Sequence, residues 1–409
     1  MNWRIGIWVG SGLVVLCLFG FGGWMLSLPP SPAPAVAPAV APEEHAAALS
    51  ALRPRKRSRP LVAVLGINDA TETTDYLVTY GILRRADVAD VMALATGPGP
   101  VRLYPALTVE PDATTAAFDA AHLGGADYVI VPAMSRDDDP AALQWLRSQA
   151  AKGAFVIGVC AGAKVVGEAG LLEGRRATTH WYYREALRAI SPGMSYVPDR
   201  RFVIDGSVAT TTGITASMPM MLTLIEAIAG RARAAAVAVD LGLTEWDARH
   251  ASAAFRLTRP FAATVLRNRL AFWRHEELGI DLRAGMDEVA LALAADAWSR
   301  TYRSRAVTFA DGPVETRSGI RILPDRPAAS RAGEPSILAI DDRRPVEALD
   351  ATLAAIAERY GASTARVVAM QLEYPGAWNG PDSSGGAATA SAVSAVPRAG
   401  SRHRPGRSP

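Results

Sequence analysis

One stretch of this sequence carries residues of the type and spacing that covalent chemistry needs. From Phe155 it reads FVIGVCAGAKVVGEAGLLEGRRATTHW, an apolar segment running straight into Cys160 and followed by small residues. A nucleophile is presented best on a sharp turn between a buried strand and a helix, and such a turn demands small neighbours, here Ala161, Gly162 and Ala163. At a helix N-terminus the backbone dipole favours a thiolate over a thiol. A low-pKa, accessible cysteine serves either of two ends: attack on a small electrophile, or redox sensing. The second cysteine, Cys17, lies in the apolar N-terminal run, which argues against an intrachain disulfide. Two cysteines also exclude a disulfide scaffold and a Cys-rich zinc site.

The elements that must position Cys160 are readable on either side of it. LVAVLGI at 61–67 is a continuous apolar run, as expected of a strand buried on both faces. Helical spacing follows over 74–85, then a strand at 91–95, a hairpin over 101–109 around Tyr104 and Pro105, and a strand at 128–131. A helix at 140–152 leads to the strand at 155–159. Strands alternating with helices predict an α/β domain, 61–240, with a parallel sheet flanked by helices. Asp137, Asp138 and Asp139 precede Pro140 and read as a helix-initiating turn rather than a metal site. No Gly-rich dinucleotide fingerprint follows a strand, so neither cofactor nor metal is implied.

The strand, the Cys-x-Gly, the helix and the segment AGLLEGRRATTHW together resemble the core of the ThiJ/PfpI superfamily, the class I glutamine amidotransferase-like, flavodoxin-like proteins. The amidase-like domain of AraC-type regulators and the isonitrile hydratases are the nearest in flavour. The resemblance implies a carboxylate from the first βα connection beside the cysteine, for which Asp75 matches and Glu72 competes. It places His180, with Trp181 shaping the pocket, where the family histidine orients substrate or acts as acid and base. Cys160, Asp75 and His180 are thus the candidate catalytic residues, and Ala161, Ala133, Met134, Trp181 and Glu72 the candidate substrate-binding ones. Two departures matter. PfpI-type proteases carry histidine after the cysteine where this chain has Ala161, which disfavours peptidase activity. The usual Gly-Gly pair is replaced by Pro132-Ala133-Met134, so any oxyanion donors are the N–H groups of Ala133 and Met134. The implied function is cysteine-dependent hydratase, glyoxalase-like or amidase-like chemistry on a small molecule. The alternative is a non-catalytic redox or ligand sensor related to transcription regulators. A homodimer is an expectation of the resemblance.

The rest of the chain frames this domain. With 409 residues and a net charge of +3, several units are expected and no general nucleic-acid footprint. Residues 5–28 are uncharged and apolar, long enough for a transmembrane anchor and longer than the roughly 7 to 15 residues of a signal-peptide core. The expected localisation is therefore single-pass membrane. Arg4 before the span argues for an extracytoplasmic globular part, while the basic run RPRKRSR at 53–59 argues the reverse. Residues 29–60 read as a Pro/Ala-rich linker and 379–409 as a disordered tail. The segment 241–270 reads as a helical connector without a helix-turn-helix, so nucleic acid is an unexpected partner. Finally, AVTFADGPVETRSGIRILPD from Ala306 echoes VMALATGPGPVRLYPALTVEPD from Val91, and LGIDLRAGMDEVALAL from Leu278 echoes LGINDATETTDYLVTYGIL from Leu65. These echoes predict a partial, degenerate repeat of the same fold at 271–378, lacking a cysteine elbow, with Asp287 and Glu288 as relics or pocket residues.

Overall fold

The computed structural model describes residues 19–32, 35–331 and 343–374. Its centre is a seven-stranded sheet of β1 (Leu61–Gly66), β2 (Asp90–Ala95), β3 (Ala113–Thr114), β4 (Tyr128–Val131), β5 (Phe155–Gly158), β6 (Phe202–Asp205) and β7 (Val208–Thr211), in the order β6-β7-β5-β4-β1-β2-β3. All neighbours are parallel except the β6–β7 pair. This is the flavodoxin-like α/β fold. Successive strand residues point to opposite faces, and β1 divides accordingly. Val62 and Val64 join the apolar cluster on one face, and Leu61, Ala63 and Leu65 join the cluster on the other.

The first face carries α1 (Thr73–Ala86) and, later in the chain, Ser217–Ala229; the second carries α2 (Pro140–Ala151) and α3 (Gly162–Glu168). Capping follows the sequence. Glu72 caps α1, accepting from the Asp75 N–H. Asp139 caps α2 ahead of Pro140, accepting from the Ala142 N–H.

Beyond the sheet, β8 (Glu276–Asp281), α4 (Glu288–Ser299) and β9 (Ser304–Phe309) form a parallel strand–helix–strand unit. Helix α4 lies against α1, and Val289, Leu291 and Leu293 share the apolar cluster of Leu77 and Val78. The approach is close: a Cβ at Gly81 would come 2.3 Å from Glu288 Oε1 and 2.7 Å from Val289 Cγ2. Two further helices, α5 (Pro345–Tyr360) and α6 (Ala362–Gln371), return the chain to the first domain.

The transmembrane helix expected at 5–28, and the membrane localisation built on it, are corrected. Among the described residues no helix is long and apolar enough to cross a membrane. The described part of that run is helical only over 19–27, a stretch that includes Gly20, Gly22 and Gly23 and stops before Pro29. Glycine weakens helices, and the residue before proline is driven out of the helical region. The segment's end is tied to the protein instead, Leu26 and Leu28 accepting from the Arg259 guanidinium. Residues 5–18 and the expected tail at 379–409 lie outside the described residues. Within 29–60 the chain forms a helix at Pro42–Ala51, and the basic run docks: Arg57 pairs with Asp127 at 2.6 Å, and Arg59 with Asp87 and Asp90 at 2.8 Å each.

Candidate functional site

Cys160 stands just past the end of β5, with φ of +55°, a backbone conformation that side chains rarely adopt. The surrounding sequence enforces it. Gly162 opens α3 so close to β4 that a Cβ there would lie 1.9 Å from the Val131 carbonyl oxygen. The Cys160 N–H donates to Thr211 Oγ1 at 3.0 Å, and the Thr179 hydroxyl donates to the Cys160 carbonyl at 3.0 Å. β7 and the Thr-Thr-His element thus clamp the strained residue from two sides, holding a conformation that costs on the order of 1–3 kcal/mol.

The thiol itself departs from the sequence reading. Only 5% of Cys160 is exposed, and its pKa is pushed well above the usual thiol value by burial, with Asp75, Glu72 and Glu373 adding to the effect. The Ala161 N–H favours the thiolate but is outweighed. A helix of 7 residues offers little dipole against that environment. Cys160 is a neutral thiol at neutral pH.

Asp75 and Glu72 share the site but differ in their bonding. Asp75 is fully buried on the first turn of α1; its Oδ2 accepts from the Ala133 N–H at 3.0 Å, and its Oδ1 has no hydrogen-bond partner. Burial, then the nearby Glu72 charge, pushes its pKa well above the ordinary carboxylate value. Glu72 accepts from the Asp75 N–H at 2.5 Å, from the Thr74 hydroxyl at 2.8 Å and from Arg300 Nη2 at 2.5 Å. It is therefore bound on both oxygens, whereas Asp75 keeps one oxygen free. The Ala133 N–H is spent on Asp75 and is not an open oxyanion donor; Met134 forms an antiparallel bridge with Thr71.

His180 is engaged at both ring nitrogens. Nε2 lies 3.0 Å from the Gln371 carbonyl, to which it donates, and Nδ1 accepts from the Tyr182 N–H at 3.2 Å. Burial drives its pKa down to about 4, so it is a neutral, fixed ring. Trp181 is held in the same way, its indole N–H donating to the Met370 carbonyl at 2.9 Å and its backbone N–H to Glu373 Oε1 at 2.7 Å. The Tyr183 phenol is close enough to Cys160 that a charge on the thiol disfavours its ionisation, burial being the larger cause.

Four residues here were not singled out from sequence. Arg300 bonds Glu72 and also donates through Nε to Asp296 Oδ2 at 2.6 Å. Asp296 is buried, with Oδ1 unpartnered and a pKa raised by burial to about 8. Glu373 is buried beside the His–Trp pair, and burial raises its pKa to about 7. His250 lies 3.3 Å from Glu373 Oε2, but burial and Arg201 hold its pKa at about 4, so the two are not an ion pair at neutral pH. A cavity of about 510 Å³ lies between the helix at Pro42–Ala51 and β6, and none of the residues just described lines it.

Comparison with known proteins places residues 62–227 in the DJ-1/PfpI family. The isonitrile hydratase of Pseudomonas putida is 44% identical over 94 residues, which are 23% of this chain and 40% of that protein. The HTH-type transcriptional regulator CdhR of Pseudomonas aeruginosa is 45% identical over 86 residues, 21% of this chain and 25% of the regulator. The chain therefore spans less than half the length of these curated relatives. Among solved structures, a DJ-1 superfamily protein from Salmonella typhimurium is 26% identical, covers 46% of this chain and all of its own, and has a TM-score of 0.40.

Proposed function

We propose, from the premise that residues 62–227 are a DJ-1/PfpI family domain, that this domain hydrates a small, neutral, isocyanide-like compound through Cys160. One observation carries the reading: a buried neutral thiol and a buried carboxyl with one unpartnered oxygen, Asp75 Oδ1, belong to the same site, where burial raises both pKa values and Asp75 adds to the rise at the thiol. Such a pair does not wait as a thiolate. It relays a proton during reaction, with an acid whose pKa is lifted toward the working pH.

The steps balance without any further reagent. The protonated Asp75 gives its proton to the isocyanide carbon while the Cys160 sulfur bonds to that carbon and the thiol proton passes to the Asp75 carboxylate. The product is a thioimidate, R–N=CH–S–Cys. Water adds to the thioimidate carbon, the C–S bond breaks, sulfur regains a proton, and R–NH–CHO leaves. Glu72 stays bound by Arg300 and the α1 backbone and holds the first turn that carries Asp75. His180 and Trp181 fix the wall behind them. No step draws on the Ala133 N–H.

The regulator relatives are matched over about a quarter of their length, which gives no support for a DNA-binding element in this chain. Redox sensing calls for an accessible thiolate, and the raised pKa and 5% exposure of Cys160 weigh against it. The test is direct. An aliphatic isocyanide is incubated with the protein, and loss of its infrared stretch and gain of the N-alkylformamide mass are followed. Formamide from the wild type and none from Cys160→Ala is expected; equal rates for both sink the proposal.

A further inference from the structure

We propose that the unit at 276–323 acts as a built-in second half: it meets the first domain across a local two-fold axis and supplies Arg300 as a positioning residue for the cysteine site. One constant offset in sequence relates Glu72 to Asp287, Arg85 to Arg300 and Asp87 to Tyr302. Each pair is structurally alike. Glu72 and Asp287 are extended N-cap residues accepting first-turn N–H groups. Asp87 and Tyr302 both take left-handed backbone, at φ of 48° and 57°. Asp112 accepts from the Ala93 N–H at 2.7 Å, and Asp325 accepts from the Thr308 N–H at 2.8 Å.

The contacts between the halves are reciprocal, as a two-fold interface requires. Arg300 of the second half bonds the N-cap Glu72 of the first at 2.5 Å. Arg85 of the first half bonds the N-cap Asp287 of the second at 2.9 Å. The hairpin of strands Val101–Tyr104 and Thr108–Glu110 joins the hairpin of strands Val314–Glu315 and Arg321–Leu323 edge to edge through an antiparallel pairing, Val109 facing Ile322, with Thr108 on Leu323 and Glu110 on Arg321. By the repeat of the Pro-Asp that follows each strand, Ile322 is the counterpart of Val109, so the axis passes through that pair.

The two ends of the axis then diverge. At one end Arg300 reaches Glu72, Asp296 and the charge field of Cys160. At the other, Ala290 stands where Asp75 would, no cysteine follows in the sequence, and Arg85 sits among Asp240, Asp287 and Glu288. The two arginines occupy equivalent places in one interface, but only Arg300 bonds a carboxylate, Glu72, that acts on the thiol. The second half has kept the surface that completes a site and lost the site itself.

This inference rests on the cysteine site and not on isocyanide hydration, so its test uses alkylation rather than turnover. Arg300→Gln and Arg85→Gln are made in the full chain. The iodoacetamide rate at Cys160 is measured between pH 7 and 10 by mass of its peptide, which separates it from Cys17. Loss of the Arg300 charge is expected to slow Cys160 alkylation at least about fivefold at a given pH, since each tenfold change is one pKa unit. Arg85→Gln is expected to leave the profile in place, and Arg300→Lys to restore at least half of the lost rate. If Arg300→Gln fails to fold, the neutral Arg300→Met against Arg85→Met gives the same comparison, with slowing expected only in the former. Equal profiles for the two arginine positions would overturn the assignment and leave the second half as packing alone.

Discussion

Glu373→Gln isolates one buried carboxyl whose effect can be worked out in advance. Burial lifts the Glu373 pKa from the ordinary 4.5 to about 7. The folded chain therefore holds this proton more tightly than the unfolded chain does. The stabilisation it brings is complete below pH 4.5 and is lost as pH rises through 7. Between pH 5 and pH 8 that loss comes to about 2–3 kcal/mol. Glutamine keeps an oxygen for the Trp181 N–H, which lies 2.7 Å from Glu373 Oε1, and carries no titrating proton. Urea unfolding of both proteins at pH 5, 6, 7 and 8 gives the two stability curves. Other titrating groups, including Asp296 and the histidines, are present in both and cancel to first order in the difference. The difference is expected to move in favour of the variant by about 2–3 kcal/mol from pH 5 to pH 8. Curves that stay parallel within about 0.5 kcal/mol would refute the reasoning, because they place an ordinary, solvated carboxylate at this position.

Asp75→Asn keeps the shape and the acceptor for the Ala133 N–H but cannot relay a proton; isocyanide hydration, followed by formamide mass, is expected to fall about 10²–10⁴-fold. Gly162→Ala puts a methyl 1.9 Å from the Val131 carbonyl, and displacing α3 is expected to cost about 1–3 kcal/mol or more, read as a lower Tm with a matching loss of activity. His180→Ala removes two hydrogen bonds and is expected to lower stability by about 1–3 kcal/mol in urea unfolding. Because burial already holds His180 near 4, the pH profile of the remaining activity between 6 and 8 is expected not to move.

The local geometry around Cys160 was legible because the sequence encodes it locally. An all-apolar strand, then Cys-x-Gly, leaves few alternatives to a tight strand-to-helix turn, and Gly162 is required by a single close approach to Val131. The thiol's charge state was not legible. The dipole argument uses residues adjacent in sequence, whereas the pKa is set by burial and by Asp75, Glu72 and Glu373, which arrive from distant segments. Arg300 was hidden for a related reason. With Asp296 it forms an i,i+4 pair on a helix, a spacing that ordinarily marks a solvent-facing ion pair. Nothing in that spacing says that both side chains are buried against Glu72. The basic run at 53–59 misleads in the opposite sense. Its composition reads as linker, yet Arg57 and Arg59 find carboxylates on the domain edge.

The charges buried at this site also argue for what kind of chemistry it supports. Asp75, Glu72 and Asp296 surround one guanidinium, that of Arg300, with Cys160 close by. A single cation does not neutralise three carboxylates, and an unpaired buried charge is expensive. The cheaper solution is for carboxyls to keep their protons, which is the direction in which both Asp75 and Asp296 are moved. Protons kept in this way are available for transfer at neutral pH. Adding a thiolate would place one more negative charge in the same small volume, so sulfur stays protonated. In the hydration proposed above, nucleophile and acid are activated by the same event, the arrival of a group that accepts a proton at carbon. A site built to hold a standing thiolate would have set more cations than carboxyls near the sulfur, and here Asp75, Glu72 and Glu373 outnumber the one guanidinium of Arg300.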